Sequence, residues 1–97
     1  MSSVSGISRV LAGHKRELRE KFNVKKIGVF GSFVRGEQRR ASDVDVLVEF
    51  VGPVGFFEFL VLEGYLSELL GVRVDLVSRK ALKPHIGKRV LKEVVYV

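Results

Sequence analysis

The chain has 97 residues, enough for one domain, so we expect a single domain over residues 1–97. Hydrophobic residues make up 46% of it, which excludes an intrinsically disordered chain. No uncharged apolar run reaches the roughly 18 residues that a membrane-spanning helix needs. The net charge of +6 suits a polyanion, either nucleic acid or nucleotide phosphates, and equally suits a merely soluble basic protein.

Cysteine is absent, which excludes a disulfide framework, a thiolate metal site and a cysteine nucleophile. The first residues show neither the basic start nor the apolar run of a secretory signal peptide. Both features favour a cytoplasmic protein.

Helices and strands alternate in the predicted secondary structure. Apolar residues at helical spacing predict helices from about Ser5 to Phe22, from Phe56 to Leu70, and from Pro84 onward with Ile86, Val90 and Leu91 pointing inward. Runs rich in β-formers predict strands at 24–30, 44–50 and 72–77 and a short terminal strand at 94–97, with one or two helical turns at 32–37. This order predicts a small α/β (α+β) sandwich.

Gly31 and Ser32 stand where the first strand ends and a short helix would begin. Such a junction offers free backbone N–H groups, a hydroxyl and the positive end of a helix, which together suit phosphate. The same Gly-Ser pair is also ordinary turn chemistry. These residues alone therefore leave a phosphate site and a plain turn as alternatives.

Three aspartates stand out because eight of the 11 acidic residues are Glu. Asp43 and Asp45, two apart at the start of the second strand, would project to one face, where repelling carboxylates suit a divalent cation such as Mg²⁺. Asp75 lies mid-strand, where Asp is disfavoured. If the two strands are neighbours, the three carboxylates form a two-metal site for phosphoryl chemistry. Otherwise Asp43 caps a turn and the other two face water.

The spacing of Gly31-Ser32, ten residues, then Asp43-Val44-Asp45 resembles the GSx10DxD signature of the DNA polymerase beta-like nucleotidyltransferase superfamily. The surrounding string 30–48 is similar to that of its minimal, antitoxin-type nucleotidyltransferases. The segment 74–77 is similar to the strand that carries their third carboxylate, so the resemblance covers nearly the whole chain. It implies one small nucleotidyltransferase domain, with a mixed β-sheet packed with helices and its first two strands antiparallel.

The resemblance also implies roles for individual residues. Gly31 and Ser32 would hold the β- and γ-phosphates of a nucleoside triphosphate donor, namely ATP. The three aspartates would ligate two Mg²⁺ ions and act as the catalytic residues, and Asp75 would also help to deprotonate the acceptor hydroxyl. Arg35 matches the family's basic position after Gly-Ser, where it either contacts phosphate or is an ordinary solvated side chain.

No segment remains for a domain that binds the acceptor, so the acceptor is expected to dock from outside. In the family such enzymes often pair with a helical HEPN-domain toxin, and in some pairs they adenylylate a tyrosine of that partner. A second apolar ridge on the Phe56–Leu70 helix, here called the α4 ridge, is a candidate docking surface. It consists of Phe56, Phe57, Leu60 and Val61. The alternative is that the ridge packs on the first helix or the sheet.

Two other functions stay open from the sequence. One is a binding module that neutralises its partner by occlusion, with catalysis weak or lost; the retention of all three aspartates argues against it. The other is a nucleotidyltransferase that extends RNA ends. RNA binding is usually accompanied by exposed aromatic residues beside Lys and Arg. The aromatic residues here follow the core pattern instead, which argues against that alternative.

Overall fold

The computed structural model describes residues 3–39 and 42–97, and within them five α-helices and four strands alternate. The helices are α1 (Val4–Gly13), α2 (Lys15–Phe22), α3 (Ser32–Arg35), α4 (Phe56–Leu70) and α5 (Pro84–Glu93). The strands are β1 (Val24–Phe30), β2 (Val44–Phe50), β3 (Val74–Ser78) and β4 (Val95–Tyr96), and a short 3-10 helix (Arg79–Ala81) follows β3. Across these two described stretches, no helix has the length and apolarity to cross a membrane.

The strands form one mixed sheet in the order β3-β2-β1-β4. Strand β1 is antiparallel to both β2 and β4, whereas β2 and β3 are parallel. The expectation of a mixed sheet whose first two strands are antiparallel is therefore confirmed. Phe30 is opposite Asp45, and Asp45 is opposite Asp75. The end of β1 and the starts of β2 and β3 therefore lie together at one end of the strands.

The main core lies on one face of the sheet, under α1, α2 and α4. Strand alternation supplies it from Val44, Val46 and Val48 of β2, and α4 supplies Leu62 and Leu66, all fully buried. Leu47 is buried outside this core cluster because its side chain projects to the opposite face. That second face carries the odd-numbered residues of β2 and β3, including Asp45 and Asp75.

Helix α4 also closes the outer edge of the sheet. The backbone N–H of Val74 donates to Ser67 Oγ at 3.0 Å, and that of Leu76 donates to Glu63 Oε2 at 2.8 Å. Two N–H groups of an edge strand are thereby satisfied by side chains instead of a further strand. Because these bonds hold the residues on both sides of Asp75, they also fix the position of that carboxylate.

The single first helix expected from Ser5 to Phe22 is instead two helices, with a break at His14. Ser3 is the N-cap of α1 and accepts from the Gly6 N–H, so the helix begins earlier than expected. Gly13 lowers helix propensity at the break, and the ring of His14 bonds back to the Val10 carbonyl at 2.8 Å. The apolar spacing continues across the break, which is why the pattern reads as one helix.

Two later elements also differ in detail from the expectation. Strand β3 begins at Val74, not at 72, because the parallel register pairs it with Val44, where β2 starts. In α5, Val90 is buried as expected, but Ile86 is 57% and Leu91 is 38% exposed, so their inward assignment was wrong. Ile86 lies along the rim of an open cleft, which leaves its side chain partly in solvent.

Candidate active site

The turn after β1 depends on Gly31. Its backbone has φ +81° and ψ −151°, a region that residues with a side chain hardly populate. The Gly31 carbonyl accepts from the N–H groups of Val34 and Arg35, which begins α3. Among the described residues the N–H groups of Ser32 and Phe33 have no hydrogen-bond partner. They and the Ser32 hydroxyl form the donor set that the sequence predicted for phosphate.

Gly31 is also in close contact with Asp45. A Cβ atom added to Gly31 would lie 2.0 Å from Oδ2 and 2.9 Å from Cγ of that aspartate. The lack of a side chain therefore lets the turn and the carboxylate lie side by side. This contact joins the two halves of the sequence motif, the Gly-Ser pair and the Asp-x-Asp pair.

The parallel pairing of β2 and β3 places the three aspartates in one region of the sheet. Asp45 and Asp75 occupy matched positions on neighbouring strands, and Asp43 directly precedes β2. Burial and the negative charges of Asp75 and Asp43 raise the pKa of Asp45 to about 6. That shift shows that the carboxylates interact with one another, as expected if the two strands are neighbours.

Asp75 lies between two concavities. The first, of about 500 Å³, lies under α5 and is lined by Phe30, Gly31, Arg35, Asp45, Asp75, Val77, Ile86, Arg89, Val90, Lys92 and Glu93. The second, of about 400 Å³, lies beside α4 and is lined by Asp43, Leu60, Glu63, Gly64, Ser67, Arg73, Val74 and Asp75. We call them the α5 cleft and the α4 cleft. Two substrates could thus approach one carboxylate from two sides.

Arg35 is exposed, and its guanidinium is paired with two carboxylates. Its Nε–H donates to Glu37 at 2.8 Å and its Nη1–H donates to Glu93 at 2.6 Å. These two hydrogen bonds raise the pKa of Arg35, so its charge is constant at any working pH. The Arg35 side chain is 43% exposed, and it borders the α5 cleft. It therefore lies close to the expected phosphate site, with two carboxylates as partners.

Three residues of α5 in this site were missed by the sequence reasoning. Arg89, Lys92 and Glu93 line the α5 cleft opposite the aspartates. Together with Ile86 and Val90 they follow helical spacing on one face of α5, a signal that was available. It was interpreted as an apolar, core-facing stripe, which hid the charged residues that share that face.

The carboxylates have the donor chemistry that Mg²⁺ prefers, namely hard and negatively charged oxygens. Burial and the charges of Asp75 and Asp43 raise the pKa of Asp45 although the charge of Arg35 lowers it, and a divalent cation would offset both causes of the rise. Within 3–39 and 42–97, no group of three or more His, Cys, Asp or Glu side chains is already gathered into a metal-binding cluster. The residues therefore fit Mg²⁺ in type and in charge.

Fold and site define a nucleotidyltransferase. Residues 11–97 match the model of the nucleotidyltransferase domain, and this chain belongs to that family. The protein is accordingly an enzyme of the nucleotidyltransferase class.

Two particular proteins within this class are similar to the chain over most of its length. The protein adenylyltransferase MntA of Thermococcus cleftensis is 54% identical over 97 residues, which cover all of this chain and 98% of that protein. A solved structure assigned as a minimal nucleotidyltransferase is 36% identical with a TM-score of 0.73, and the match covers 94% of this chain and 88% of that one.

The fold is also found in one chain of a solved complex, at lower sequence identity. In the structure of a tri-AMPylated Shewanella oneidensis HEPN toxin with its MNT antitoxin, one chain is 18% identical with a TM-score of 0.67. The match covers 92% of this chain and 70% of that one. At this level of identity the likeness shows the fold alone.

Proposed function

We propose that this protein is a Mg²⁺-dependent protein adenylyltransferase that moves AMP from ATP to a tyrosine hydroxyl of a HEPN-type toxin partner, and so acts as its antitoxin. The observation that carries the proposal is the register that places Asp45 beside Asp75 while Gly31 touches Asp45. It joins a phosphate-binding turn to a set of carboxylates, as transfer of a nucleotidyl group requires. The similarity to the protein adenylyltransferase MntA supports AMP as the group transferred and a protein as the acceptor.

The donor is assigned to the α5 cleft. The phosphates of ATP would accept hydrogen bonds from the Ser32 N–H and hydroxyl, and Arg89 and Lys92 would add positive charge from the opposite wall. Asp43, Asp45 and Asp75 would hold Mg²⁺. When bound, this ion neutralises charge on the triphosphate and makes the acceptor hydroxyl more acidic.

In the proposed reaction each bond that forms or breaks, and the proton that is released, can be accounted for. The acceptor oxygen forms a bond to the α-phosphorus, the bond from that phosphorus to the bridging oxygen of the β-phosphate breaks, and pyrophosphate leaves with the electron pair. Asp75 lies between the two clefts and takes the hydroxyl proton on a carboxylate oxygen. Neither a histidine nor a cysteine is needed.

The acceptor is assigned to the α4 cleft, which leads from the aspartates to the α4 ridge. Phe56 and Phe57 of the ridge are each 76% exposed, so the alternative in which the ridge packs on the first helix or the sheet was wrong. Leu60 belongs to both the ridge and the cleft. One turn further along α4, a Cβ atom added to Gly64 would meet no atom within 4 Å, so the surface there is open. A partner helix seated on the ridge could therefore insert a tyrosine toward Asp43 and Asp75.

The test is transfer of label from α-³²P-ATP into a purified HEPN-domain protein of the same source, with and without Mg²⁺. The wild type should label the partner on tyrosine, as mass spectrometry of the product would show, and Asp43→Asn/Asp45→Asn should not. Equal labelling by both proteins would remove the aspartates from the mechanism. Label that resists protease but is lost with RNase would identify RNA ends as the acceptor instead.

The occlusion function is separable from transfer in the same experiment. If the wild type silences the toxin without labelling it, and the double aspartate variant silences it equally well, the protein acts as a binding module. Full loss of silencing in the variant, with complex formation kept, would establish that modification is the mechanism.

A further inference from the structure

Glu93, the last residue of α5, makes two long-range contacts with the turn after β1. The Gly31 N–H donates to its Oε2 at 2.7 Å, and Arg35 Nη1–H donates to its Oε1 at 2.6 Å. The Glu93 side chain is only 20% exposed. Burial alone would raise the pKa of Glu93, but the bonds from Arg35 and Gly31 hold it below its usual value, so the group is a carboxylate at neutral pH.

These two contacts fall at the two ends of one short element. Gly31 is the N-cap of α3 and Arg35 is its last residue, so a single carboxylate bridges the whole helix. Because Glu93 takes the Gly31 N–H, the turn is held with the Ser32 and Phe33 N–H groups left for a ligand. The same bond anchors the end of α5, whose Arg89 and Lys92 line the cleft.

We infer that Glu93 is a positioning residue for the donor triphosphate: it fixes the Gly31–Ser32 turn and the Arg35 guanidinium relative to each other and ties α5 across the cleft. The inference rests on the proposed function, since it places the donor phosphates at that turn. Glu93 itself touches no substrate in this role. Its effect is to keep the phosphate donors in place before the nucleotide arrives, which lowers the cost of binding.

The experiment compares MgATP dissociation constants by titration calorimetry without acceptor, and then KM and kcat with the partner. Removal of the carboxylate in Glu93→Ala should weaken MgATP binding and raise KM by about tenfold, as expected for the loss of charge-assisted hydrogen bonds, with kcat within about threefold. Glu93→Gln, whose amide oxygen can still accept from Gly31 but has no charge for Arg35, should fall between the two. All measurements are made well below the melting temperature of each variant.

Two controls separate this role from a merely structural one. Glu37→Ala removes the other carboxylate partner of Arg35 but leaves the Gly31 contact, and it should change KM less than Glu93→Ala does. Glu20→Ala removes an exposed carboxylate of α2 that is ion-paired to Arg16, and it should leave MgATP binding unchanged.

The outcomes are distinct. Unchanged or tighter MgATP binding by both Glu93 variants would overturn the inference, and tighter binding would show that the carboxylate competes with phosphate. A loss confined to kcat would overturn it as well. Failure of the wild type to bind MgATP would overturn the proposed donor and this inference together, whereas binding by the wild type without transfer to the partner would refute only the proposed acceptor.

Discussion

Because Gly31 lies against Asp45, the substitution Gly31→Ala tests the geometry of the site with the addition of one methyl group. Gly31→Ala adds a Cβ atom 2.0 Å from Oδ2, 2.9 Å from Cγ and 3.1 Å from Cβ of Asp45. The first two distances are too short for nonbonded atoms, so the Asp45 side chain has to move. The backbone at φ +81° adds strain of its own.

The expected magnitude is the sum of two effects. A residue with a side chain in this region of φ and ψ costs about 1–3 kcal/mol. Overpacking against a neighbour adds about 1–3 kcal/mol, less what rotation of the Asp45 side chain relieves. We expect a loss of about 3 kcal/mol in the free energy of unfolding, which for a domain of this size lowers the melting temperature by roughly 12–24 °C. A displacement of Asp45 by about 1 Å should lower transfer on the order of 100-fold.

Gly71→Ala is the matched control. Gly71 also has a positive φ of +70°, but no atom lies within 4 Å of an added Cβ, and the residue lines neither cleft. It should cost only the backbone strain, about 1–2 kcal/mol, and keep transfer activity. Urea unfolding and the labelling assay measure both effects. If Gly31→Ala is no more destabilising than Gly71→Ala, or if it retains activity, the close approach to Asp45 has no functional meaning.

Four further outcomes are expected. Asp45→Asn should abolish transfer yet stabilise the metal-free protein at pH 7 by about 1 kcal/mol after discounting for solvent screening; a destabilised variant in urea unfolding would contradict this. Since the pKa of Asp45 is raised to about 6, its stabilising contribution is full below about pH 4 and is lost as the pH rises through 6. Thermal melts from pH 4 to 7 should therefore show a fall in wild-type stability that Asp45→Asn lacks. Asp75→Asn should reduce kcat at least 100-fold with little change in MgATP affinity, and equal loss of both would make it a binding residue only. Phe57→Glu should abolish complex formation with the partner in size-exclusion chromatography, whereas Val51→Glu, which changes another exposed apolar residue outside the α4 ridge, should not.

The sequence was sufficient for features that depend on local pattern. Gly31 ends a β-rich run, and Asp75 is an aspartate, a residue disfavoured in strands, within an alternating β-rich segment, so each stands out against its neighbours. The strands and α4 were found at or near their bounds for the same reason. The resemblance to a known family supplied the pairing of the strands, which local pattern alone could not give.

Features that depend on distant partners could not be predicted in this way. Glu93 is 62 residues from Gly31, and an acidic residue at the end of a helix is ordinarily a solvated one. The orientation of α5 depends on an open cleft beneath it, so Ile86 and Leu91 were placed inward by a rule that applies to helices over a filled core. The exposure of the α4 ridge likewise depends on what α1 and α2 leave uncovered.

The site departs from the local rules of folding in a consistent direction. A glycine in a region that other residues hardly populate, an aspartate within a strand and a second carboxylate on the neighbouring strand each reduce the stability of the free protein. The raised pKa of Asp45 measures part of that cost, and bound Mg²⁺ with its triphosphate would remove it. A ligand that binds only the folded state stabilises that state. MgATP should therefore raise the stability of this protein more than that of a variant whose carboxylates have been made neutral. The same unfavourable contacts that make the site recognisable in the sequence therefore also provide part of the driving force for nucleotide binding.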